Sequence, residues 1–211
     1  MHDQVTIVIS AAGMGSRLGM DVPKALIEVG GTPILARQLA ALSDVDDVIV
    51  VVGYRGELVV DLLRELRSDA RVLQNPDYAT TGTAASVALA AEQTTGWLLA
   101  LDGDVLVRTD DLEALRDQPG ACLGLTTTRT AQPVFAHLDA GDDVVELSQD
   151  DPSPWEWSGA AKLHVLTARE LGTGHVFTGL APFLPIASLP IDCVEIDDLD
   201  DLRYAETWVT A

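Results

Sequence analysis

The stretch Val5-Thr6-Ile7-Val8-Ile9-Ser10-Ala11-Ala12-Gly13-Met14-Gly15-Ser16-Arg17-Leu18-Gly19, with Pro23-Lys24 close behind it, decides the reading of this chain. Its first six residues form a short, mostly apolar, β-branched run, the pattern of a strand buried inside a parallel sheet. A glycine-rich loop comes directly after the strand. Glycines let backbone N–H groups approach a phosphate closely, and Arg17 and Lys24 supply the cations that a triphosphate needs. Two familiar phosphate loops do not fit. The dinucleotide fingerprint wants its third glycine one residue before Gly19, and Pro23 interrupts the helix that should come next. The second strand ends Val51-Val52-Gly53-Tyr54 without a ribose-binding acid, and no Gly-Lys-Ser/Thr supports a Walker loop. What remains is an anion site without a P-loop.

Outward from this loop, strand and helix patterns alternate. The spacing predicts a helix over 33–42 with Thr32 as N-cap, a strand over 45–52, a helix over 57–66 and a short strand at Val72-Leu73. A helix over 84–92 and a strand over 97–101, running into Asp102-Gly103-Asp104, complete the front half. Such alternation indicates a parallel sheet covered on both faces. Between Ala121 and Val165, three or four apolar-alternating stretches are separated by turns such as Asp139-Ala140-Gly141-Asp142-Asp143, which predicts antiparallel or mixed strands. A strand over 194–197 and a final helix through Leu202 and Trp208 close the chain. The expected organisation is one domain over 1–211, with a nucleotide-binding front half (1–120) and an acceptor-binding rear half (121–211).

Composition narrows the partners. With 13 basic against 33 acidic residues the net charge is −20, so nucleic acid and anionic membrane, both polyanions, are not expected. The N-terminus lacks the pattern of a signal peptide and no apolar run has the length of a membrane span, so the expected location is cytoplasmic. Cys122 and Cys193 are too few for a disulfide framework and read as buried free thiols. Only two lysines occur, Lys24 and Lys162, which makes their positions informative.

The loop, together with Pro23-Lys24-Ala25-Leu26-Ile27 and Gly30-Gly31-Thr32-Pro33-Ile34-Leu35, resembles the signature of the nucleotidyltransferases that make sugar nucleotides and CDP-alcohols. The resemblance implies a Rossmann-like three-layer α/β sandwich of the GT-A-like type with a mostly parallel mixed sheet. It assigns nucleotide binding to Ala11, Ala12, Gly13, Gly15 and Ser16, and phosphate chemistry to Arg17 and Lys24. Gly82, Thr83 and Ser86 would line the base and ribose.

Asp102 and Asp104 stand at the end of a buried strand, where ligands sit in open α/β sheets. Mg²⁺ takes oxygen ligands, and Asp104 resembles the family's metal aspartate, with Asp102 further out beside the nucleotide. In a strand, Glu195 and Asp197 share a face and can point at the same ion. Asp198, Asp200 and Asp201 read instead as charges at a helix N-terminus.

Asn75-Pro76-Asp77-Tyr78, Gly159-Ala160-Ala161-Lys162-Leu163 and the Glu-Ile-Asp-Asp ending look most like cytidylyltransferases that activate phosphocholine or phosphonates such as 2-aminoethylphosphonate. Gly82-Thr83-Ala84 looks more like the hexose-1-phosphate enzymes. Trp155 and Trp157 lie among carboxylates and can either cage a cationic acceptor head or pack a lid. Lys162 can either contact the acceptor or sit at a strand end. The expected reaction is Mg²⁺-dependent transfer from an NTP, CTP first, to a small phosphate- or phosphonate-bearing acceptor with release of pyrophosphate. A sugar-1-phosphate or molybdopterin nucleotidyltransferase, and a catalytically silent nucleotide-binding module, are the alternatives.

Overall fold

The computed structural model describes residues 5–13 and 21–210. The chain forms β1 (Val5–Ala11), β2 (Glu28–Val29), β3 (Thr32–Pro33), α1 (Ile34–Ala41), β4 (Val48–Val52), α2 (Gly56–Leu66), β5 (Arg71–Gln74) and α3 (Thr83–Ala91). It continues with β6 (Trp97–Asp102), β7 (Val105–Val107), α4 (Thr109–Arg116), β8 (Cys122–Thr127), β9 (Phe135–Leu138), β10 (Asp143–Ser148) and β11 (Trp155–His164). The last elements are α5 (Val165–Arg169), α6 (Val176–Leu180), β12 (Ile186–Pro190), β13 (Cys193–Glu195) and α7 (Leu199–Trp208).

Strands from both halves of the chain share one nine-stranded sheet in the order β5-β4-β1-β6-β11-β8-β12-β10-β9. The first four are parallel, and β12 is parallel to β8, whereas β11 and β10 run antiparallel to their neighbours. The sheet is therefore mixed, as expected, with parallel and antiparallel neighbours in equal number along that order rather than mostly parallel. Alternation along the strands builds two cores. Ile7, Ile9, Val50, Leu99 and Leu101 face α1, α2 and α4, through Leu35, Leu39, Val59, Leu63, Leu112 and Leu115. Val8, Ile49, Val51, Leu98 and Ala100 face α3, α5 and α6, through Ala84, Val87, Ala168, Val176 and Leu180. The result is three layers, α/β/α, and each fully buried aliphatic side chain contributes about 1.5–3 kcal/mol. A smaller cluster joins Ile27, Val29, Ile34, Leu106, Val194, Ile196 and Ala205, docking the β7–β13 ribbon and α7 onto the front.

Several boundaries differ from the sequence reading. The strand over 45–52 begins only at Val48, because the Val45 N–H closes a turn on the Leu42 carbonyl. Pro33, not Thr32, occupies the N-cap of α1, since Thr32 and Pro33 are committed to the β2–β3 ribbon. The three short helices α4, α5 and α6 were not legible as patterns. The region 121–165 holds four strands, and the closing strand stops at Glu195, so Asp197 lies beyond it. Asp198 caps α7 by accepting from the Asp200 and Asp201 N–H groups, and Asp201 completes a capping box.

One irregularity interrupts the sheet beside the carboxyl end of β6. Along β11 the pairing with β8 shifts between Trp157 and Ala161, and Gly159 sits there with φ +78°. A side chain at Gly159 would be strained, and its Cβ would lie 3.0 Å from Asp102 Oδ2. The break divides β11: its start pairs with β9, its later part with β6. Among the described residues no helix is long and apolar enough to cross a membrane.

Candidate active site

At the carboxyl end of β6 the chain turns through Gly103 into β7, and the Gly103 N–H bonds to the Ser10 carbonyl of β1 at 3.0 Å. This turn carries Asp104. The Ile196 N–H donates to the Asp104 carbonyl at 3.0 Å, so the end of the β13 segment is tied alongside, and with it Glu195 and Asp197. One carboxylate oxygen from each of Asp104, Glu195 and Asp197 lies within 4.8 Å of the others. These are oxygen donors only, a set that suits a hard divalent cation such as Mg²⁺.

Lys24 comes after the loop in sequence and ends in this cluster. Its ammonium donates to Asp104 Oδ2 at 2.6 Å and to Asp197 Oδ1. Burial works against its charge, but Asp104 and then Asp197 outweigh burial and hold Lys24 above the ordinary lysine range. Burial and then the neighbouring Asp104 push the Asp102 carboxyl up to about 8. Glu195 is likewise pushed up to about 8, by burial, then Asp104 and Asp197. Crowded, part-desolvated carboxylates of this kind are what a cation would relieve.

A cavity of about 460 Å³ joins this cluster to the rest of the site. Its lining also includes Gly13, Thr83, Thr130, Gln132, Gln149, Trp157, His175 and Phe177. Gly82 lets Thr83 reach it: the Gly82 N–H donates to the Thr173 carbonyl at 2.7 Å, and a Cβ there would collide with the Gly174 oxygen. That close contact also carries His175 and Phe177, stacked with centroids 5.6 Å apart, to the cavity wall. The buried Glu156 carboxylate accepts from the Arg129 and Thr130 N–H groups and from Thr130 Oγ1 at 2.7 Å, fixing the Thr130 loop.

Of the residues singled out in the sequence, Gly13, Lys24, Thr83, Asp102, Asp104, Trp157, Glu195 and Asp197 line this cavity together. Gly15, Ser16 and Arg17 lie outside the described residues. Ala11 and Ala12 are buried at the end of β1, just ahead of Gly13. Ser86 is buried in α3, where Asn75 Nδ2 donates to its Oγ at 3.3 Å, and it does not line the cavity. Lys162 is placed outside it too. Its ammonium donates to the Arg116 carbonyl at 2.7 Å and to that of Gln118, tying down the end of α4 and the turn after it, away from the cavity. Trp155 and Trp157 both pack against the second core, and of the two only Trp157 lines the cavity. Thr130, Gln132, Gln149, His175 and Phe177 were missed. Their one signal was position, in or near the connections after β8, β10 and α5, where binding residues concentrate. Cys122 and Cys193 are buried and free, as expected.

Comparison with known proteins points the same way. Residues 7–163 match the family described as MobA-like NTP transferase domain. The bifunctional protein GlmU of Synechococcus elongatus is 35% identical over 158 residues, 69% of this chain and 34% of that protein. The CMP-5'-(3-aminopropyl)phosphonate synthase of Streptomyces rubellomurinus is 36% identical over 145 residues, 65% of this chain and 23% of that protein. The chain thus spans about a third or less of the length of these curated relatives. The structure of CTP:phosphocholine cytidylyltransferase from Streptococcus pneumoniae superposes with TM-score 0.79 at 20% identity, covering 98% of this chain and 100% of that one. The inositol-1-phosphate CTP transferase from T. maritima gives 0.81 at 17% identity, covering 100% and 98%.

Proposed function

The chain belongs to the MobA-like NTP transferase domain family, and from that premise we propose that it transfers the nucleotidyl group of an NTP, CTP first, to a small acceptor bearing a phosphate or phosphonate. The observation that carries this reading is the shared cavity, whose lining brings Lys24, Asp104, Glu195 and Asp197 together with Gly13, Thr83, Gln132, Gln149 and Trp157. An acid cluster and a lysine in one cavity with uncharged polar and aromatic groups is what joining two anions requires. The similarity to a cytidylyltransferase for phosphocholine and to a phosphonate CMP synthase supports CTP and the acceptor class.

An acceptor oxygen attacks the α-phosphorus, the new P–O bond forms, the bond to the bridging oxygen breaks and pyrophosphate leaves. The acceptor is already an anion at neutral pH, so no strong base is needed. The work of the protein is alignment and charge neutralisation. The Gly13 backbone and Thr83 receive the nucleotide, with Ala11, Ala12, Gly15 and Ser16 in the same loop region. Lys24 and Arg17 supply positive charge to the phosphates. Asp104, Glu195 and Asp197 would hold Mg²⁺, with Asp102 behind them, and the bound ion would offset charge on the triphosphate. Trp157 offers a π-face to the acceptor, and Gln132 and Gln149 offer hydrogen bonds.

A second reading, a sugar-1-phosphate acceptor, is favoured by Thr130, Gln132 and Gln149, neutral side chains suited to hydroxyl groups, and by the absence of Trp155 from the cavity wall. The experiment is a matrix of pyrophosphate release: CTP, UTP, GTP, ATP and dTTP with Mg²⁺, against phosphocholine, 2-aminoethylphosphonate, glycerol phosphate and hexose 1-phosphates. Release with CTP and one small phosphorylated or phosphonylated acceptor is expected. Release only with another NTP and a hexose phosphate selects the second reading; silence in every well, with nucleotide still bound, rejects transfer and leaves a binding module.

A further inference from the structure

A second hollow, of about 330 Å³, opens away from the candidate active site, between α1, β7 and the end of α7. Arg37, Gln38, Arg108, Trp208 and the apolar side chains of Leu106 and Val107 contribute to its lining. Its charge sets it apart. Among the described residues ten arginines occur; nine of them form an ion pair with a carboxylate, and Arg37 does not. Both hydrogen bonds of Arg37 go to the Val29 carbonyl, at 3.1 and 2.6 Å. Arg108 lies over the Trp208 ring at 3.8 Å and is balanced by Asp192 at 3.1 Å. In a chain of net charge −20, the hollow thus keeps one guanidinium without a counter-charge among the described residues.

Gln38 adds an independent sign. It is only 2% exposed, and its Nε2 donates to the Asp102 and Val105 carbonyls at 2.8 and 2.7 Å. Two acceptors on that nitrogen fix the orientation of the amide, and Oε1 is left buried with no hydrogen-bond partner among the described residues. A buried acceptor without a donor is costly, and an incoming N–H or O–H would relieve it.

We propose that this hollow binds a small anion with an apolar body and one N–H or O–H group: the acid on Arg37, the body against Trp208 and Leu106, the donor on Gln38 Oε1. The volume lies at the lower end of the range for small-molecule sites, about 300–1,000 Å³. The consequence reaches the other cavity, because Gln38 grips the backbone on both sides of Asp104. An occupied hollow steadies the 102–105 turn and so acts on the site from behind.

The test uses 8-anilinonaphthalene-1-sulfonate, an aromatic sulfonate with one N–H, titrated into the native protein by fluorescence. Single-site binding is expected, weakened about tenfold by Arg37→Gln, the loss of one charged hydrogen-bonding partner. Ala40→Glu, at an exposed position on the rim, adds a negative charge without touching the core and should weaken binding similarly. Hydrogen exchange of the amides over 102–107 should slow when the dye saturates. Equal affinity in wild type and both variants overturns the site, and unchanged exchange over 102–107 overturns the link to Asp104. Neither readout uses catalysis, so failure here is separable from failure of the nucleotidyl-transfer reading.

Discussion

In β4 every residue is buried, and in β1 and β6 all but terminal residues are, whereas β9 and β10 contribute one fully buried residue each, Ala136 and Val144. The central strands are thus held by burial on two faces and bring strand-end groups to the cavity. The β9–β10 edge is held more loosely, although β8 and β11 are buried along most of their length, and the connections around it bring Thr130, Gln132 and Gln149 to the same cavity. The difference teaches where chemistry and specificity reside. On the proposed reading, charge handling sits on rigid strand ends and acceptor choice on segments that can vary without cost to the core.

The largest expected effect comes at the strand ends. Asp104→Ala should lower pyrophosphate release by about a thousandfold, in line with the loss of a principal charge-stabilising group, while circular dichroism stays native. A rate within about threefold of wild type would remove Asp104 from the mechanism. Stability comes next. Leu99→Ala in the parallel half should cost about 2–5 kcal/mol in urea unfolding. Val145→Ala, on an exposed position of β10, should cost within about 0.5 kcal/mol. Comparable losses would mean that the centre and the β10 edge of the sheet are held alike.

Smaller effects sharpen the contrast within the cavity. Trp157→Ala and Gln132→Ala should each raise the acceptor KM by about tenfold, near 1.4 kcal/mol, and leave the NTP KM within a factor of about two. Trp155→Ala, which removes a packing residue outside the cavity, should leave both constants alone. If Trp155 and Trp157 behave identically, the division between them is wrong.

The last prediction concerns pH. Burial pushes the Cys122 thiol up to about 11 and the Cys193 thiol up to about 12. Unfolded thiols ionise near 9, so between about pH 9 and 11–12 the unfolded chain binds fewer protons than the native one, and stability falls as pH rises. Below about pH 9 this contribution is fully present. Urea midpoints should therefore drop above about pH 9, and neither thiol should react with iodoacetamide at about pH 8 until urea unfolds the chain. Rapid labelling of the native protein under those conditions would contradict the burial of both.

Much of the fold was written locally. The apolar runs of β1, β4 and β6 could form little else, and the acids at 198, 200 and 201 announced a helix N-terminus that the capping box of α7 then used. The acid cluster was legible because strand ends concentrate ligands. The sequence left alternatives open where a residue has two chemically reasonable uses. Lys162, scarce and positive, resembled a ligand group, yet β11 delivers it to the end of α4, where the Arg116 and Gln118 carbonyls take it. Trp155 and Trp157 are equivalent in a period-two pattern and both pack against the second core, yet of the two only Trp157 lines the cavity.

The sequence by itself determined the alternating α/β order, the glycine-rich stretch after β1, the acidic strand ends and the net charge, because each is read from composition or from residues close in the chain. Only the tertiary structure decided that Lys24 reaches Asp104 and Asp197, that Gly82 draws His175 and Phe177 to the wall, and that Arg37 is left without a carboxylate among the described residues. Those partners are set by strand order and loop packing over separations of tens of residues, and side-chain chemistry alone does not encode which of many possible partners a folded chain brings near.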